Sequence, residues 1–225
     1  AHCLAYGSPV DSHAGWSSVI GDEDQSPWKG GIAWPDTIAG LHAASAVLCQ
    51  LYNSVHAGSG GVTVEAAQFE STVAAIGDLV LEAQVDGLGA PPGNRDPRYV
   101  AQGIYPCQGD DEWIAISIVD AEALSSLCAL LDVAPSMANN HDSFDRALTG
   151  VTSNLVAKEL AVRLQDAGIA ASKVAKAPDL ASDPHLESRS AWGTVDQPDV
   201  GQFTTLVTPI SLSATPVQSL VPAPM

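Results

Sequence analysis

Basic residues are scarce in this chain of 225 residues. It has 9 Lys and Arg residues against 26 Asp and Glu residues, which gives a formal net charge of -17. A surface with this charge repels the phosphates of nucleic acids and of anionic lipids. We therefore expect no nucleic acid partner and no membrane partner, and a ligand that carries phosphates needs cations placed locally.

Long apolar runs and cysteine motifs are also missing. No stretch reaches the roughly 18 apolar residues of a membrane-spanning helix, and no secretory signal opens the sequence. The cysteines form no CxxC pair and no cluster with histidines at metal-ligand spacing: they are Cys3, Cys49, Cys107 and Cys128. We expect buried reduced thiols, no metal, no disulfide framework and a cytoplasmic location.

The remaining composition is that of a globular protein, with 46% apolar and 16% charged residues. From Thr37 to Tyr52, apolar residues recur at alternating steps of three and four, which predicts a helix buried on most sides with Asp36 as its N-cap. Apolar periodicity also predicts a short strand at 62–64 and a second helix over about 67–85.

Clustered Gly and Pro residues at 87–94 predict a linker, because neither residue continues a regular element. We place a domain boundary there and divide the chain into residues 1–90, 91–185 and 186–225. Beyond the linker, 103–107 and 113–118 predict a hairpin, and helices are expected at about 120–132, 142–149 and 152–167. A strand-like run at 203–207 lies in the last part.

A series of runs extends over nearly the whole chain: Trp34-Pro35-Asp36-Thr37-Ile38-Ala39-Gly40-Leu41-His42-Ala43-Ala44, Gly58-Ser59-Gly60-Gly61-Val62-Thr63-Val64-Glu65, Gly93-Asn94, Tyr105-Pro106-Cys107, Trp113-Ile114-Ala115-Ile116, Ser182-Asp183-Pro184-His185-Leu186 and Ser213-Ala214-Thr215-Pro216. In their order and spacing, these runs resemble the family III coenzyme A (CoA) transferases. This family includes formyl-CoA transferase, benzylsuccinate CoA transferase and the 2-methylacyl-CoA racemases.

The resemblance implies an α/β fold, formed by the C-terminal part of a Rossmann-like large domain and a small α+β domain. It implies that Asp36 is the catalytic nucleophile, and that CoA moves from an acyl-CoA donor to a carboxylic acid acceptor through aspartyl anhydride and aspartyl-CoA thioester intermediates. The partners are then an acyl-CoA and a small carboxylic acid, with no cofactor besides the thioester substrate. The full-length family members are homodimers.

One weaker expectation and three alternatives accompany this interpretation. Gln102 and Gly103 are candidates for a small-domain loop that contacts substrate or CoA, although an ordinary Gly at the start of a strand is the commoner explanation. An Asp at a helix start is commonly a cap and no more. A racemase of the same family is the second enzyme reading. A non-catalytic half of a fused or split transferase is the third alternative, which the scarcity of basic residues favours. The chain begins just ahead of Asp36 and is expected to be a fragment, inactive alone.

Overall fold

A computed structural model describes residues 6–21, 28–58, 60–87, 93–96, 98–215 and 220–223. Helices and two antiparallel sheets are combined in these residues, which confirms the predicted mixed α/β class. The first part is helical: α1 (Gly7–His13), a 3-10 turn (Trp16–Ser18), α2 (Trp34–Ala57), α3 (Gln68–Ala75) and α4 (Gly77–Val85).

Helix α2 begins earlier than predicted, so Asp36 is not its N-cap. Ala33 caps the helix without a side-chain hydrogen bond, and Asp36 is the third helical residue. Pro35 is accepted in the first turn because the N–H that proline lacks would have no intrahelical partner there. Gly58, at φ 62°, ends the helix in the left-handed conformation that glycine adopts easily. Asp36 still lies where the helix dipole favours a negative charge.

The prediction that α2 is buried on most sides is wrong for this chain. Within this helix Pro35 alone is buried, and large apolar residues such as Leu48 (65% exposed) and Tyr52 (67% exposed) face outward. The apolar periodicity of the sequence indicates a helix that needs cover, but it does not say which segment supplies the cover.

Two further predictions near α2 need correction. Residues 62–64 form no strand, because the described residues 60–67 pair with no other segment. The single helix expected over about 67–85 is two helices, α3 and α4, which meet at Ile76 with φ −112° and ψ 27°. Ile76 is 6% exposed, and Gly77 follows it as the first residue of α4.

The main hydrophobic core lies between a three-stranded antiparallel sheet and three helices. The predicted hairpin is confirmed as β1 (Ala101–Pro106) and β2 (Trp113–Ile118), and β3 (Ala170–Lys173) pairs with the other edge of β2. The helices are α5 (Ala121–Leu131), α6 (His141–Thr152) and α7 (Ala157–Asp166), with a 3-10 turn at Pro135–Asn139. Fully buried members of the core include Ile114, Leu127, Phe144, Leu148, Leu160 and Leu164.

The last part contains α8 (Ala177–Ala181), α9 (Pro184–Ser188) and a hairpin of β4 (Trp192–Gln197) and β5 (Gly201–Leu206). Strand β5 confirms the strand predicted near 203–207, while β4 was not expected. Most of the predicted linker, 88–92, lies outside the described residues. The division into 1–90, 91–185 and 186–225 therefore stays a prediction.

The cysteines are in two environments. Cys107 and Cys128 are free and buried, and burial raises the pKa of each thiol. Cys49 is also free but is exposed on α2, so the prediction of buried thiols is wrong for it. Cys3 lies outside the described residues. Among the helices that are described, none combines the length and the apolarity needed to cross a membrane.

Candidate active site around Asp36

Asp36 lies in the first turn of α2, and its side chain is bound by a residue of α3. Its backbone N–H donates to Ala33 O at 3.2 Å, which closes the turn. The Gln68 side chain, at the start of α3, donates from Nε2 to Asp36 Oδ1. The Asp36 residue itself is exposed, whereas Gln68 is half-buried. One carboxylate oxygen is thus fixed by an amide while the carboxyl group stays accessible.

The second carboxylate oxygen faces α1 at a residue without a side chain. A Cβ atom placed on Gly7 would lie 3.0 Å from Asp36 Oδ2 and 2.5 Å from Ala33 Cβ. Gly7 is buried, and the close approach of α1 to the start of α2 requires a glycine there. The structure therefore brings α1, α2 and α3 together at the Asp36 carboxyl group.

A second carboxyl group lies one helical turn from Gly7. Asp11 has no exposed surface, and neither of its side-chain oxygens has a hydrogen-bond partner among the residues described. Burial raises the pKa of Asp11, the negative charge of Asp36 raises it further, and the ammonium of Lys29 lowers it. The site thus contains two carboxyl groups in unlike environments, one exposed and one covered.

Aromatic rings border this cluster. Trp16 and Trp34 have ring centroids 6.4 Å apart, and His13 on α1 contacts Phe69 on α3 at 4.9 Å. The Trp16 Nε1 group is buried and has no partner within the described part of the chain. These contacts fasten α1 and the 3-10 turn to the helices that carry Asp36 and Gln68.

Gln102 and Gly103 lie in a strand rather than in a loop. Both belong to β1, where they pair with Ser117 and Ile116 of β2. A Cβ atom on Gly103 would lie 2.7 Å from the Tyr105 hydroxyl oxygen, so packing of the Tyr105 ring accounts for this glycine. In the part that is described, no hydrogen bond joins either residue to Asp36. A contact of these residues with substrate or CoA stays a prediction.

Four cations between residues 95 and 176 are bound to carboxylates. Arg95 donates to Asp142 at 2.8 Å, and Arg98 is paired with Asp96. Lys173 lies 3.1 Å from Glu112 and 3.0 Å from Asp179, and Lys176 lies 3.0 Å from Glu112. Arg95, Arg98 and Lys173 therefore each have a carboxylate partner within the chain. Lys29, by contrast, acts on the Asp11 carboxyl group.

Sequence reasoning found Asp36 but missed three residues around it: Gly7, Asp11 and Gln68. No local pattern marks them, because Gln68 lies 32 residues from Asp36, and α1 ends at His13 whereas α2 begins at Trp34. The Gly7-to-Asp11 spacing of one helical turn would have been informative only if α1 had been predicted to be a helix.

Comparisons with known proteins place these features in a wider context. A sequence model described as CoA-transferase family III matches residues 1–225. Succinyl-CoA–D-citramalate CoA-transferase of Chloroflexus aurantiacus is 27% identical over 94% of this chain and 55% of its own length. Succinate–glutarate CoA-transferase of Agrobacterium fabrum is 20% identical over 100% of this chain and 58% of its own length.

A solved structure shows the same fold. The crystal structure of a CAIB/BAIF family protein from Brucella suis superposes with a TM-score of 0.79 and 20% identity. The match covers 95% of this chain and 57% of that protein. The chain thus spans a little more than half the length of the two curated relatives named above and of this structure.

Proposed function

Because the chain belongs to CoA-transferase family III, we propose that it supplies the nucleophile, Asp36, for CoA transfer from an acyl-CoA to a carboxylic acid. The observation that carries the proposal is the Asp36 carboxyl group itself. It is exposed, lies in the first turn of α2, and has one oxygen bound by Gln68 and the other beside Gly7. Such a group is oriented and accessible to a thioester.

The first half of the reaction replaces the donor acid. An Asp36 oxygen attacks the thioester carbonyl of the donor, the C–S bond breaks, and the CoA thiolate leaves a mixed anhydride on Asp36. The thiolate then attacks the aspartyl carbonyl of that anhydride. The donor acid departs as a carboxylate, and an aspartyl-CoA thioester remains.

The second half repeats these steps with the acceptor. The acceptor carboxylate attacks the aspartyl carbonyl and expels the thiolate, which forms a second anhydride. The thiolate then attacks the acceptor carbonyl, so that the acceptor leaves as its CoA thioester and Asp36 is again a free carboxylate. No proton is gained or lost overall, and each addition needs hydrogen-bond donors for the developing oxyanion.

Gln68 and Gly7 support this role of Asp36 in different ways. The Gln68 amide holds Oδ1, which reduces rotation of the carboxyl group and presents Oδ2 in one direction. Gly7 lets α1 approach Oδ2 closely, since a side chain there would crowd that oxygen. We assign both as positioning residues for the nucleophile.

The acids are proposed from the relatives. The names of both relatives include succinyl or succinate, and succinic acid has two carboxyl groups. We extend this to the present protein and propose a dicarboxylic acid as donor or acceptor. We also propose a cytoplasmic location and a homodimer for the full-length protein. The exposed apolar side of α2, which a partner would bury, supports the homodimer.

The test is CoA exchange between acids by the protein, with any further segment of its natural chain present. Asp36→Asn should abolish exchange of labelled succinate into CoA thioester, whereas Asp166→Asn, at an exposed position on α7, should leave it unaltered. Incubation with acyl-CoA and hydroxylamine should convert Asp36 into a hydroxamate. Full turnover by Asp36→Asn would exclude the mechanism.

Two other outcomes identify the alternatives. A racemase exchanges the α-proton of a 2-methylacyl-CoA for deuterium in deuterated water without any acceptor acid. A non-catalytic half gives neither exchange nor a hydroxamate at Asp36. Comparison of succinate with acetate as acceptor tests the proposed preference for an acid with two carboxyl groups.

A further inference from the structure

Asp11 is the buried polar group that the proposed reaction leaves unused. It lies on α1 with no exposed surface, and within the described residues neither carboxyl oxygen has a hydrogen-bond partner. A buried carboxylate without a partner is unfavourable, and the usual outcome is that the group binds a proton and becomes neutral. The raised pKa of Asp11 agrees with this argument.

The position of Asp11 directs it towards Asp36. Gly7 faces Asp36 Oδ2 and Ala33, and Asp11 lies four residues later on the same face of α1. Side chains on a helix lean towards its N-terminus, so the Asp11 side chain leans back towards the turn that contains Gly7. The negative charge of Asp36 acts on Asp11 across this short interval.

We propose that Asp11 is a positioning residue for Asp36, and that Asp11 must be protonated for CoA transfer to proceed. This inference rests on the proposed function. With Asp11 neutral, the cluster carries the single negative charge of the Asp36 nucleophile. If Asp11 loses its proton, a second negative charge repels the acid substrate and the acyl-CoA, both of which are anions. It also forces two like charges together where α1 packs on α2.

Other charged groups around Asp11 are few in the described part of the chain. The 3-10 turn Trp16–Ser18 contributes none, α2 contributes Asp36, and α3 contributes Glu70, which is exposed. Lys29 lies on the loop before α2, and His13 is on α1 itself. Of these, the ammonium of Lys29 opposes and the carboxylate of Asp36 favours the neutral form of Asp11.

The first experiment measures protonation without using activity. Carbon-13 NMR of the aspartate side-chain carboxyl groups, assigned in the wild-type protein, gives a titration curve for each residue. Asp11 should keep its proton to a pH distinctly above the ordinary range of aspartate side chains. Titration of Asp11 within that ordinary range would overturn the proposal.

The second experiment measures the pH profile of CoA transfer in the wild type, in Asp11→Asn and in the control Asp166→Asn. Asparagine has the shape of the neutral carboxyl group and cannot ionise. Above the pH at which Asp11 ionises, the wild-type rate should fall by up to about tenfold per pH unit. Asp166→Asn should show the same fall, and Asp11→Asn should show none.

An Asp11→Asn profile that coincides with the wild-type profile would overturn the proposal. A structural role alone would change the folding of the variant but would not remove a single ionisation from the rate profile. If the wild-type protein transfers no CoA at all, the proposed function fails, while the NMR titration still decides whether Asp11 is the protonated carboxyl group.

Discussion

Gly7 marks the closest approach between α1 and the start of α2. Gly7→Ala places a methyl group 2.5 Å from Ala33 Cβ and 3.0 Å from Asp36 Oδ2, so one of the two helices has to shift. We expect a loss of about 1–3 kcal/mol in the free energy of unfolding. The rate of CoA transfer should also fall in variant protein that is folded, because the shift displaces the Asp36 nucleophile.

The matched control for this substitution is Gly40→Ala on α2. In the described part of the chain no atom lies within 4 Å of a Cβ built at Gly40, and the position is inside a helix. Alanine there should be neutral or stabilising. Urea unfolding of both variants decides the matter, and equal effects of the two substitutions would contradict the packing argument.

Gly103 gives a second test at the residue scale, because its role is attributed to Tyr105. Gly103→Ala should cost about 1–3 kcal/mol, since its Cβ would lie 2.7 Å from the Tyr105 hydroxyl oxygen. In a Tyr105→Leu background the obstructing ring is gone and the same substitution should cost less. Equal losses in the free energy of unfolding in both backgrounds, measured by urea unfolding, would contradict the packing role and leave Gly103 as a functional candidate only.

At the scale of elements, one ion cluster fastens the β1–β2 turn to the segment after β3. Glu112, just before β2, accepts from Lys176 and Lys173, and Lys173 also contacts Asp179 on α8. Hydrogen bonds from Lys176 and Lys173 lower the pKa of Glu112, and the backbone N–H of Lys176 together with the Lys173 side chain lowers the pKa of Asp179. These carboxylates therefore stabilise the fold when they are ionised.

The sign of the pH dependence follows from the lowered pKa values. The stabilisation is present above the ordinary carboxyl range and is lost as the pH falls through the pKa values of the folded protein. Glu112→Gln should lower the melting temperature at pH 7 and have less effect at pH 3, and added salt should reduce the difference. Glu65→Gln, at an exposed position, is the control. A Glu112→Gln effect that does not vary with pH would contradict the ion-pair assignment.

The elements also show what the sequence can and cannot predict. The hairpin of β1 and β2 and the helices α5 to α7 were predictable because their apolar residues pack against one another within this chain. The exposure of α2 was not predictable. Apolar residues such as Leu48 indicate a buried helix face, but they do not indicate which segment packs against it. Strand β4 was not predicted, because Gly193, Thr194 and Asp196 interrupt the alternation of apolar residues that indicates a strand.

The candidate site was predictable in part for a similar reason. Asp36 precedes a strong helical pattern and lies in a run that resembles the family, so local sequence indicates it. Gln68 and Asp11 owe their importance to tertiary contacts with the Asp36 region. An isolated Asp or Gln in a helix is ordinarily a solvated residue, and only the fold distinguishes these two.

At the scale of the whole molecule, buried apolar residues are concentrated between residues 101 and 169. Stability should be distributed in the same way, because local opening follows the density of buried contacts. In this chain alone, backbone amides of β2 and α7 should resist hydrogen exchange, and those of α2 should exchange much faster. Exchange measured by mass spectrometry on peptic fragments tests this, and equal protection of α2 and β2 would contradict it.

The exposed thiol of Cys49 makes α2 accessible to selective labelling. Cys107 and Cys128 are covered, and burial raises the pKa of both, so a maleimide or nitroxide reagent should react with them slowly. In a Cys3→Ser variant, a nitroxide on Cys49 would report the mobility of one side of α2 by electron spin resonance. The immobilised fraction of that spectrum, followed against protein concentration, would show when this helix acquires a neighbour.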